Sequence, residues 1–177
     1  MKQLLTILSL FLLVSCSQEV PIEPSTEVTL QPLEVVTGPV RVSDGITYDQ
    51  NTNELVTGIV EKFYENGEFE TRISYKEGKK NGVAEYYWDD GQLQGRQNFK
   101  DGKEESIEYF HRNGQLWFYL NFKDGKQEGL YESFHENGQL EERANYKDGK
   151  QEGLAEYFDK YGNLTMTETY KNGELVQ

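Results

Sequence analysis

The sequence predicts an all-β fold, an elongated antiparallel sheet of five tandem β-hairpin repeats preceded by one leading hairpin. Two glycine columns recur from residue 58 onward with a period of 23 to 24 residues. The segments between these glycines hold about seven to nine residues, which suits a strand and leaves no room for a helix. They are rich in Tyr, Phe, Val, Ile and Thr and contain no proline, as expected for strands.

Residues 1–15 have the layout of a secretory signal peptide. Lys2 precedes a mostly apolar run over residues 4–14, and Ser15 follows that run. The run is about half the ~20 residues that a transmembrane helix needs, so we expect it to be removed rather than to remain in the membrane.

Cys16 is the only cysteine in the chain and has no disulfide partner within it. Residues 13–16, which read LVSC, resemble the lipobox of bacterial lipoproteins, in which the cysteine becomes the lipidated mature N-terminus. We predict that Cys16 is acylated. The alternative is an ordinary secretory signal with an incidental cysteine.

Residues 16–45 are predicted to be a flexible, acidic tether, because all four prolines of the chain lie between residues 16 and 40. In the alternative interpretation, residues 28–36 dock on the sheet as an edge strand. The repeat domain is predicted over residues 46–177. Its leading hairpin spans residues 46–58, with Tyr48 in a strand and a turn at residues 51–53.

Each repeated glycine marks a turn, and Asn or Asp precedes eight of the ten, a pair that tolerates positive φ. A three-residue loop such as residues 65–67 places Phe63 and Phe69 on one side of the sheet, whereas a two-residue loop separates them. We predict the three-residue loop because it unites the apolar columns. These columns are Phe63, Tyr87, Phe110, Phe134 and Phe158; Phe69, Leu93, Leu116, Leu140 and Leu164; and Tyr75, Phe99, Phe122, Tyr146 and Tyr170.

A single repeat buries too few apolar side chains to offset the entropy of ordering its backbone. Stability must therefore come from neighbouring repeats that extend one sheet. The third repeat departs from the others, since Glu105 stands where a leading glycine is expected.

The repeats GLYESFHENGQLEERANYKDGKQEG and GLAEYFDKYGNL contain an NGQL or related motif and, where complete, a KDGK motif whose glycine lies eleven residues further on. They resemble the MORN repeat variant of the YwqK-type antitoxin-like family, here in a lipoprotein form, over about residues 46–177. The resemblance implies an elongated sheet of hairpins. It also implies neutralisation of a toxin, which for an exported chain would have to act in the periplasm or at the surface.

The net charge of −13 argues against nucleic acid and against electrostatic binding to anionic lipid headgroups. Any membrane attachment is therefore expected through the N-terminal lipid. An unidentified protein partner, such as a toxin or a basic envelope protein, is the expected ligand, and no cofactor is predicted.

One glutamate recurs in every repeat and forms a predicted acidic ladder of Glu61, Glu85, Glu108, Glu132 and Glu156. We expect it to pair with cross-strand cations such as Arg72, Arg96 and Arg143. Binding of a cation or of a basic partner is the alternative.

Aromatic residues concentrate in the second and third repeats and are predicted to lie away from the apolar columns. This candidate binding patch consists of Tyr86, Trp88, Tyr109, Trp117 and Tyr119. Rigid aromatics anchor protein interfaces, but a single-layer sheet also uses both faces for packing, so both interpretations stand.

His111 and His135 occupy the same repeat position, about two strand spacings apart, and are interpreted as column residues rather than as a metal site. No arrangement typical of a nucleophile, a phosphate loop or an acid/base pair is found. We therefore predict no catalytic residues and no enzymatic activity.

Three functions are consistent with this sequence. The first is a lipid-anchored, non-enzymatic protein-interaction module on the bacterial envelope. The others are an immunity or antitoxin protein with one cognate toxin and a cell-wall or glycan-binding protein that uses the aromatic patch. Ser17 follows Cys16, and the absence of aspartate there favours the outer membrane in a cell that has one.

Overall fold

The computed structural model describes residues 33–176. Within this range every regular element is a β-strand, and tandem hairpins form one long sheet. The predicted all-β fold is therefore confirmed. The predicted signal peptide, Cys16 and residues 17–32 of the predicted tether lie outside the described range.

Fourteen strands form the long sheet, and two form a separate hairpin. The order in the sheet is β1-β4-β5-β6-β7-β8-β9-β11-β12-β14-β15-β16, with β10 on β9 and β13 on β12. The bounds are β1 Val35–Val36, β2 Val40–Ser43, β3 Ile46–Asp49, β4 Gly58–Phe63, β5 Phe69–Lys76, β6 Lys79–Tyr87, β7 Leu93–Lys100, β8 Lys103–Phe110, β9 Leu116–Lys123, β10 Lys126–Gln127, β11 Gly129–Phe134, β12 Leu140–Lys147, β13 Lys150–Gln151, β14 Gly153–Phe158, β15 Leu164–Lys171 and β16 Glu174–Leu175.

Two kinds of turn alternate along the array. Between β4 and β5 the Tyr64 N–H donates to the Glu68 carbonyl at 2.8 Å, and the Gly67 N–H donates to the Tyr64 carbonyl at 3.0 Å. This pattern is the predicted three-residue loop. The second kind is a two-residue turn in which both residues have positive φ, as at Asp101 (50°) and Gly102 (84°). Asp and Asn tolerate that conformation better than most residues, which explains the recurring Asp-Gly pairs.

A β-bulge follows every three-residue loop and decides which side chains share a face. In the first hairpin Phe63 lies opposite Phe69, but the register shifts between Lys62 and Phe63, so that Glu70 is the extra residue. The same shift recurs in the other four hairpins. An extra residue exchanges the two sides of a strand, so Tyr75 lies on the face opposite Phe63 and Phe69.

The prediction that all apolar columns share one side is therefore wrong for the strand-end aromatics Tyr75, Phe99, Phe122, Tyr146 and Tyr170. The side that carries this column is named the tyrosine face. It includes Val60, Ile73, Tyr75, Ala84, Tyr86, Phe99, Ile107, Tyr109, Phe118, Tyr131, Glu142, Ala144, Tyr146, Ala155, Tyr157 and Tyr170. The opposite side, named the glutamate face, carries Ile59, Glu61, Phe63, Phe69, Arg72 and their equivalents in later hairpins.

The third hairpin accommodates its missing glycine with a bulge. Gly82, which leads the second repeat, has a φ of 93°, a value that side chains disfavour. In the third repeat Glu105 does not have a positive φ, and the pairing of β8 with β7 shifts between Asn98 and Phe99, which leaves Glu105 as the extra residue. The pairing of β6 with β5 is also irregular around Gly82, between Ile73 and Tyr75. The sheet continues through this point, so the departure is local.

Ordered strands begin earlier than the predicted tether boundary at residue 45. Strand β1 pairs in parallel with the outer edge of β4, in line with the alternative of a docked edge strand. Strands β2 and β3 pair around a turn at Asp44 and Gly45, so the leading hairpin starts at Val40 and not at residue 46. Leu55 then returns to form an isolated bridge with Tyr48. β-Branched valines suit such pairing, which explains why strands form in residues 35–43.

The segment before the first repeat, over residues 36–56, covers the tyrosine face of that repeat. Thr47 N–H donates to the Gly78 carbonyl and Gly78 N–H donates to the Val56 carbonyl, each at 2.8 Å. The buried cluster is made of Val56, Val60 and Tyr75, with Val36, Val40 and Ile73 packed against it. Further along the sheet the fully buried apolar side chains are small, namely Ala84, Ala144 and Ala155. Within the described range no second sheet packs over this part of the face.

Candidate functional site

A row of aromatic rings crosses the middle of the tyrosine face. The rings of Tyr109 and Phe118 stack with their centres 5.2 Å apart. Phe118 lies 6.4 Å from Tyr131, and Tyr131 meets Tyr146 edge-to-face at 6.0 Å. Each ring comes from a different strand, so the sheet register creates the row.

Trp117 is the exposed member of this row. It occupies the bulge position of β9, between Leu116 and Phe118. Its ring centre lies 5.3 Å from that of Phe118 and 5.7 Å from that of His111. The residue remains 45% exposed, which leaves a large apolar surface available at this point of the sheet.

The structure divides the predicted aromatic patch between the two faces. Tyr86 and Tyr109 both lie opposite Gly95 on the tyrosine face, and a Cβ on Gly95 would be 3.1 Å from the Tyr109 ring. Tyr119 instead lies on the glutamate face, between two residues of the acidic ladder. Trp117 belongs to the row described above.

Trp88 lies in the turn that follows β6. The Arg112 guanidinium carbon lies 4.4 Å from the centre of a Trp88 ring, and Arg112 also pairs with Asp90 at 3.4 Å. The buried indole N–H has no hydrogen-bond partner. Trp88 is thus held by a cation from the next repeat and does not join the aromatic row.

Sequence reasoning missed Phe118, Tyr131, Tyr146 and Tyr157 as members of the same surface. The sequence prediction places Tyr146 on the side of Phe63 and Phe69, which is wrong. The other three residues fall in columns that are aromatic in only some repeats. The signal that finds them is the cross-strand register, which depends on the bulges.

The acidic ladder lies on the glutamate face and is bound to arginines of the same face. Each of the three arginines lies between two glutamates of successive repeats. Arg72 is 2.9 Å from Glu61 and 3.7 Å from Glu85, Arg96 is 3.5 Å from Glu85 and 3.4 Å from Glu108, and Arg143 is 2.9 Å from Glu132 and 3.9 Å from Glu156. This charge row ties neighbouring strands together, which favours its structural interpretation.

The two histidines each link one repeat to the next by a hydrogen bond. In each, Nε2 forms a hydrogen bond with a backbone carbonyl of the following repeat. Within residues 33–176 no group of three or more His, Cys, Asp or Glu side chains is arranged to hold a metal ion. The same part of the chain has no helix of the length and hydropathy that a membrane span requires.

Tyrosines and one carboxylate surround the C-terminal part of the tyrosine face. Glu142 lies between Ser133 on one neighbouring strand and Tyr157 on the other. Burial raises the pKa of Glu142, and the carboxylates of Glu141 and Glu168 raise it further. Burial also raises the pKa of the Tyr157 hydroxyl, with added contributions from Tyr170 and Glu142. The Glu142 carboxylate is thus only half solvated in a region of tyrosine rings.

Comparison with known families matches four segments to the MORN repeat variant, at residues 56–77, 80–101, 107–124 and 127–148. The fifth hairpin lies outside the matched residues. No curated protein matches the chain.

Solved structures with some similarity include three larger chains. A S. aureus TarM mutant in complex with fondaparinux, alpha-GlcNAc-glycerol and UDP is 15% identical over 63% of this chain and 20% of its own, with a TM-score of 0.37. The structure of accessory secretory protein 1, 2 and 3 in Streptococcus pneumoniae is 20% identical over 56% of this chain and 18% of its own, with a TM-score of 0.37. The GtfA/B complex bound to UDP and GlcNAc is 11% identical over 85% of this chain and 25% of its own, with a TM-score of 0.27. The chain therefore spans a quarter or less of these solved chains.

Proposed function

Residues 56–148 carry four MORN repeat variants, and from this premise we propose that the chain is a non-enzymatic protein-interaction module held on the bacterial envelope by a lipid on Cys16. The tyrosine face is its contact surface. One observation carries the proposal: the aromatic row through Tyr109, Phe118 and Tyr131 has no covering layer within the described residues, and Trp117 at its side is 45% exposed.

Exposed aromatics of this kind favour protein contact. Tryptophan and tyrosine bring large apolar areas and lose little side-chain entropy on binding, and they dominate the energy of many protein interfaces. Here the rings are held in place by neighbouring strands, so the surface is already formed before a partner arrives. The single layer also gives a partner a long row of similar positions to contact.

The glutamate face supports the same assignment by a different argument. A pair of carboxylates used for acid/base catalysis needs two unlike environments. The ladder glutamates repeat one environment, each beside an arginine of the neighbouring strand. They therefore fit a structural role better than a catalytic one.

The membrane anchor rests on the N-terminal sequence. A short apolar run ends in Ser15 and Cys16, and a single acyl chain gives only weak membrane binding, so stable attachment needs more than one chain. A Cys16→Ser variant should move from the membrane fraction to the soluble fraction, and unchanged fractionation would contradict the anchor.

Capture from intact cells tests the interaction itself. The anchored wild-type protein is cross-linked, purified and compared by mass spectrometry with Trp117→Ala and with Leu164→Ala. Leu164 is a suitable control because it is 53% exposed and belongs to the opposite face. We expect one dominant partner that is lost with Trp117→Ala and retained with Leu164→Ala. Equal recovery with both variants, or no enriched partner with the wild type, would contradict the proposal.

A further inference from the structure

A lysine lies among the rings in the N-terminal half of the tyrosine face. In the N-terminal half, Lys80 lies opposite Tyr75, with its Nζ 4.7 Å from the centre of the Phe99 ring and 3.5 Å from the Tyr86 hydroxyl. The chain thus supplies its own cation to the rings there. The equivalent positions opposite the later strand-end aromatics are Glu104, Gln127, Gln151 and Leu175, and none of them carries a positive charge.

The C-terminal half of the tyrosine face carries carboxylates among its rings. Glu142 lies directly opposite Tyr157, and Tyr131 and Tyr146 are close enough for its charge to raise the pKa of both hydroxyls, in addition to the larger effect of burial. Glu168 lies on the next strand and accepts a hydrogen bond from the Tyr170 hydroxyl at 2.7 Å. Rings and carboxylates therefore share one surface.

These carboxylates are not neutralised within the described part of the chain. None of the ion pairs formed by residues 33–176 includes Glu142 or Glu168. In contrast, all five glutamates of the acidic ladder lie within 4 Å of an arginine. A half-buried carboxylate without a cation is costly, and an incoming positive group would remove that cost.

We propose that Glu142, together with the rings of Tyr131, Tyr146 and Tyr157, binds an arginine side chain from a basic segment of a partner protein. The inference rests on the proposed function and deepens it, since it assigns a position on the tyrosine face and a partner chemistry. The net charge of −13 attracts a basic segment to the chain over a longer range.

Arginine fits this surface better than lysine. Its planar guanidinium stacks on aromatic rings and binds a carboxylate through two parallel hydrogen bonds. On its other face the chain combines one charged hydrogen bond with a ring contact: Arg72 donates to Glu61 at 2.9 Å while its guanidinium carbon lies 5.2 Å from the centre of the Phe69 ring. The proposed site would repeat that contact between two molecules.

A peptide titration tests the proposal. The full chain is titrated with the peptide acetyl-Gly-Leu-Arg-Leu-Gly-amide, and binding is followed through the NMR signals of the tyrosine rings. A second peptide with citrulline in place of arginine keeps the shape and removes the charge. We expect saturable binding of the arginine peptide, and binding weaker by roughly tenfold or more for the citrulline peptide, as for loss of a charged hydrogen bond.

Two variants with the same change of charge locate the site. Glu142→Gln should weaken binding of the arginine peptide by roughly tenfold or more. Glu136→Gln, in an exposed turn of the same repeat, should leave it unchanged. Equal affinity of Glu142→Gln and wild type would overturn the proposal, as would equal loss in both variants. Choline that binds as tightly as the arginine peptide through the same tyrosines would overturn the assignment to a protein segment.

Failure of this site can be distinguished from failure of the proposed function. If capture from cells is abolished by Trp117→Ala but is unaffected by Glu142→Gln, the interaction module stands and the arginine site is wrong. Circular dichroism of both glutamine variants checks that each is folded before it is titrated.

Discussion

The imidazole of His111 donates its Nε2–H to the carbonyl oxygen of Phe134, 2.7 Å away and 23 residues further along the chain. A carbonyl can only accept, so Nε2 of this ring must carry a proton. His135 makes the same contact with Phe158 at 2.9 Å. This column of the repeat therefore ties the third hairpin to the fourth and the fourth to the fifth, beyond the hydrogen bonds of the sheet.

Tyr64 gives the cleanest test of this contact between repeats. Its hydroxyl donates to the carbonyl of Tyr87 at 2.8 Å, so Tyr64→Phe removes one hydrogen bond and little else. We expect a loss of about 1 kcal/mol in the free energy of unfolding, measured by urea denaturation. Tyr161→Phe is the control, because Tyr161 is 76% exposed, and an equal loss in both variants would contradict the role given to this column.

Gly95 should not tolerate a side chain. An added Cβ would be 3.1 Å from the Tyr109 ring and 3.2 Å from the Glu108 carbonyl oxygen. Gly95→Ala should therefore lower the free energy of unfolding by about 1–3 kcal/mol through overpacking. In a Tyr109→Leu background the same change should cost less, because the ring is absent. Equal costs in both backgrounds would show that the ring does not set the limit.

The charge row of the glutamate face should contribute little and should depend on salt. Arg143→Met removes the partner of Glu132 and Glu156, but Arg143 is 48% exposed. We expect a loss below about 1 kcal/mol that shrinks as NaCl is raised, since exposed ion pairs are weak and screened. Lys126→Met, which breaks the more exposed pair with Asp148, should cost still less. A large loss that salt does not change would contradict this description.

Glu142 should make the protein less stable as pH rises. Burial, with repulsion from Glu141 and Glu168, raises its pKa above 4.5 in the folded state. The folded chain therefore holds this proton more tightly than the unfolded chain, and stability falls as pH rises from 4.5 through the raised pKa.

The Glu142→Gln variant should remove this loss. We expect its urea midpoint to exceed that of the wild type near about pH 7 and to converge with it below about pH 4. Glu136→Gln serves as the control in the exposed turn, where no such gap is expected. A Glu142→Gln midpoint that falls below the wild type at neutral pH would contradict the prediction.

Turn chemistry made much of the fold predictable. Asp-Gly and Asn-Gly pairs at fixed spacing mark reversals because few other residues accept positive φ. The three-residue loop that pairs Phe63 with Phe69 follows from the same reasoning and is confirmed, with the two ring centres 4.9 Å apart. The cross-strand position of Arg72 between Glu61 and Glu85 also follows from the repeat alone, because like positions in neighbouring hairpins meet across the sheet.

The sequence alone does not predict which face of the sheet each aromatic column occupies. One bulge residue per hairpin, such as Glu70, exchanges the two sides of a strand, and no residue type marks it. Tyr75 and Tyr146 therefore lie on the face opposite Phe63, whereas the sequence prediction places them on the same face. Tyr119 lies on the other face from the aromatic row that includes Trp117. The docking of Val35–Val36 on β4 was likewise decided by the open edge of the sheet.

The sequence by itself determined the number of hairpins, the positions of their turns and the repeat that makes the array one sheet, because these depend on local backbone conformation and on periodicity. Only the tertiary structure decided which rings meet and where an acid remains without a cation. Those features depend on register between strands distant in sequence, and one extra residue is enough to change them.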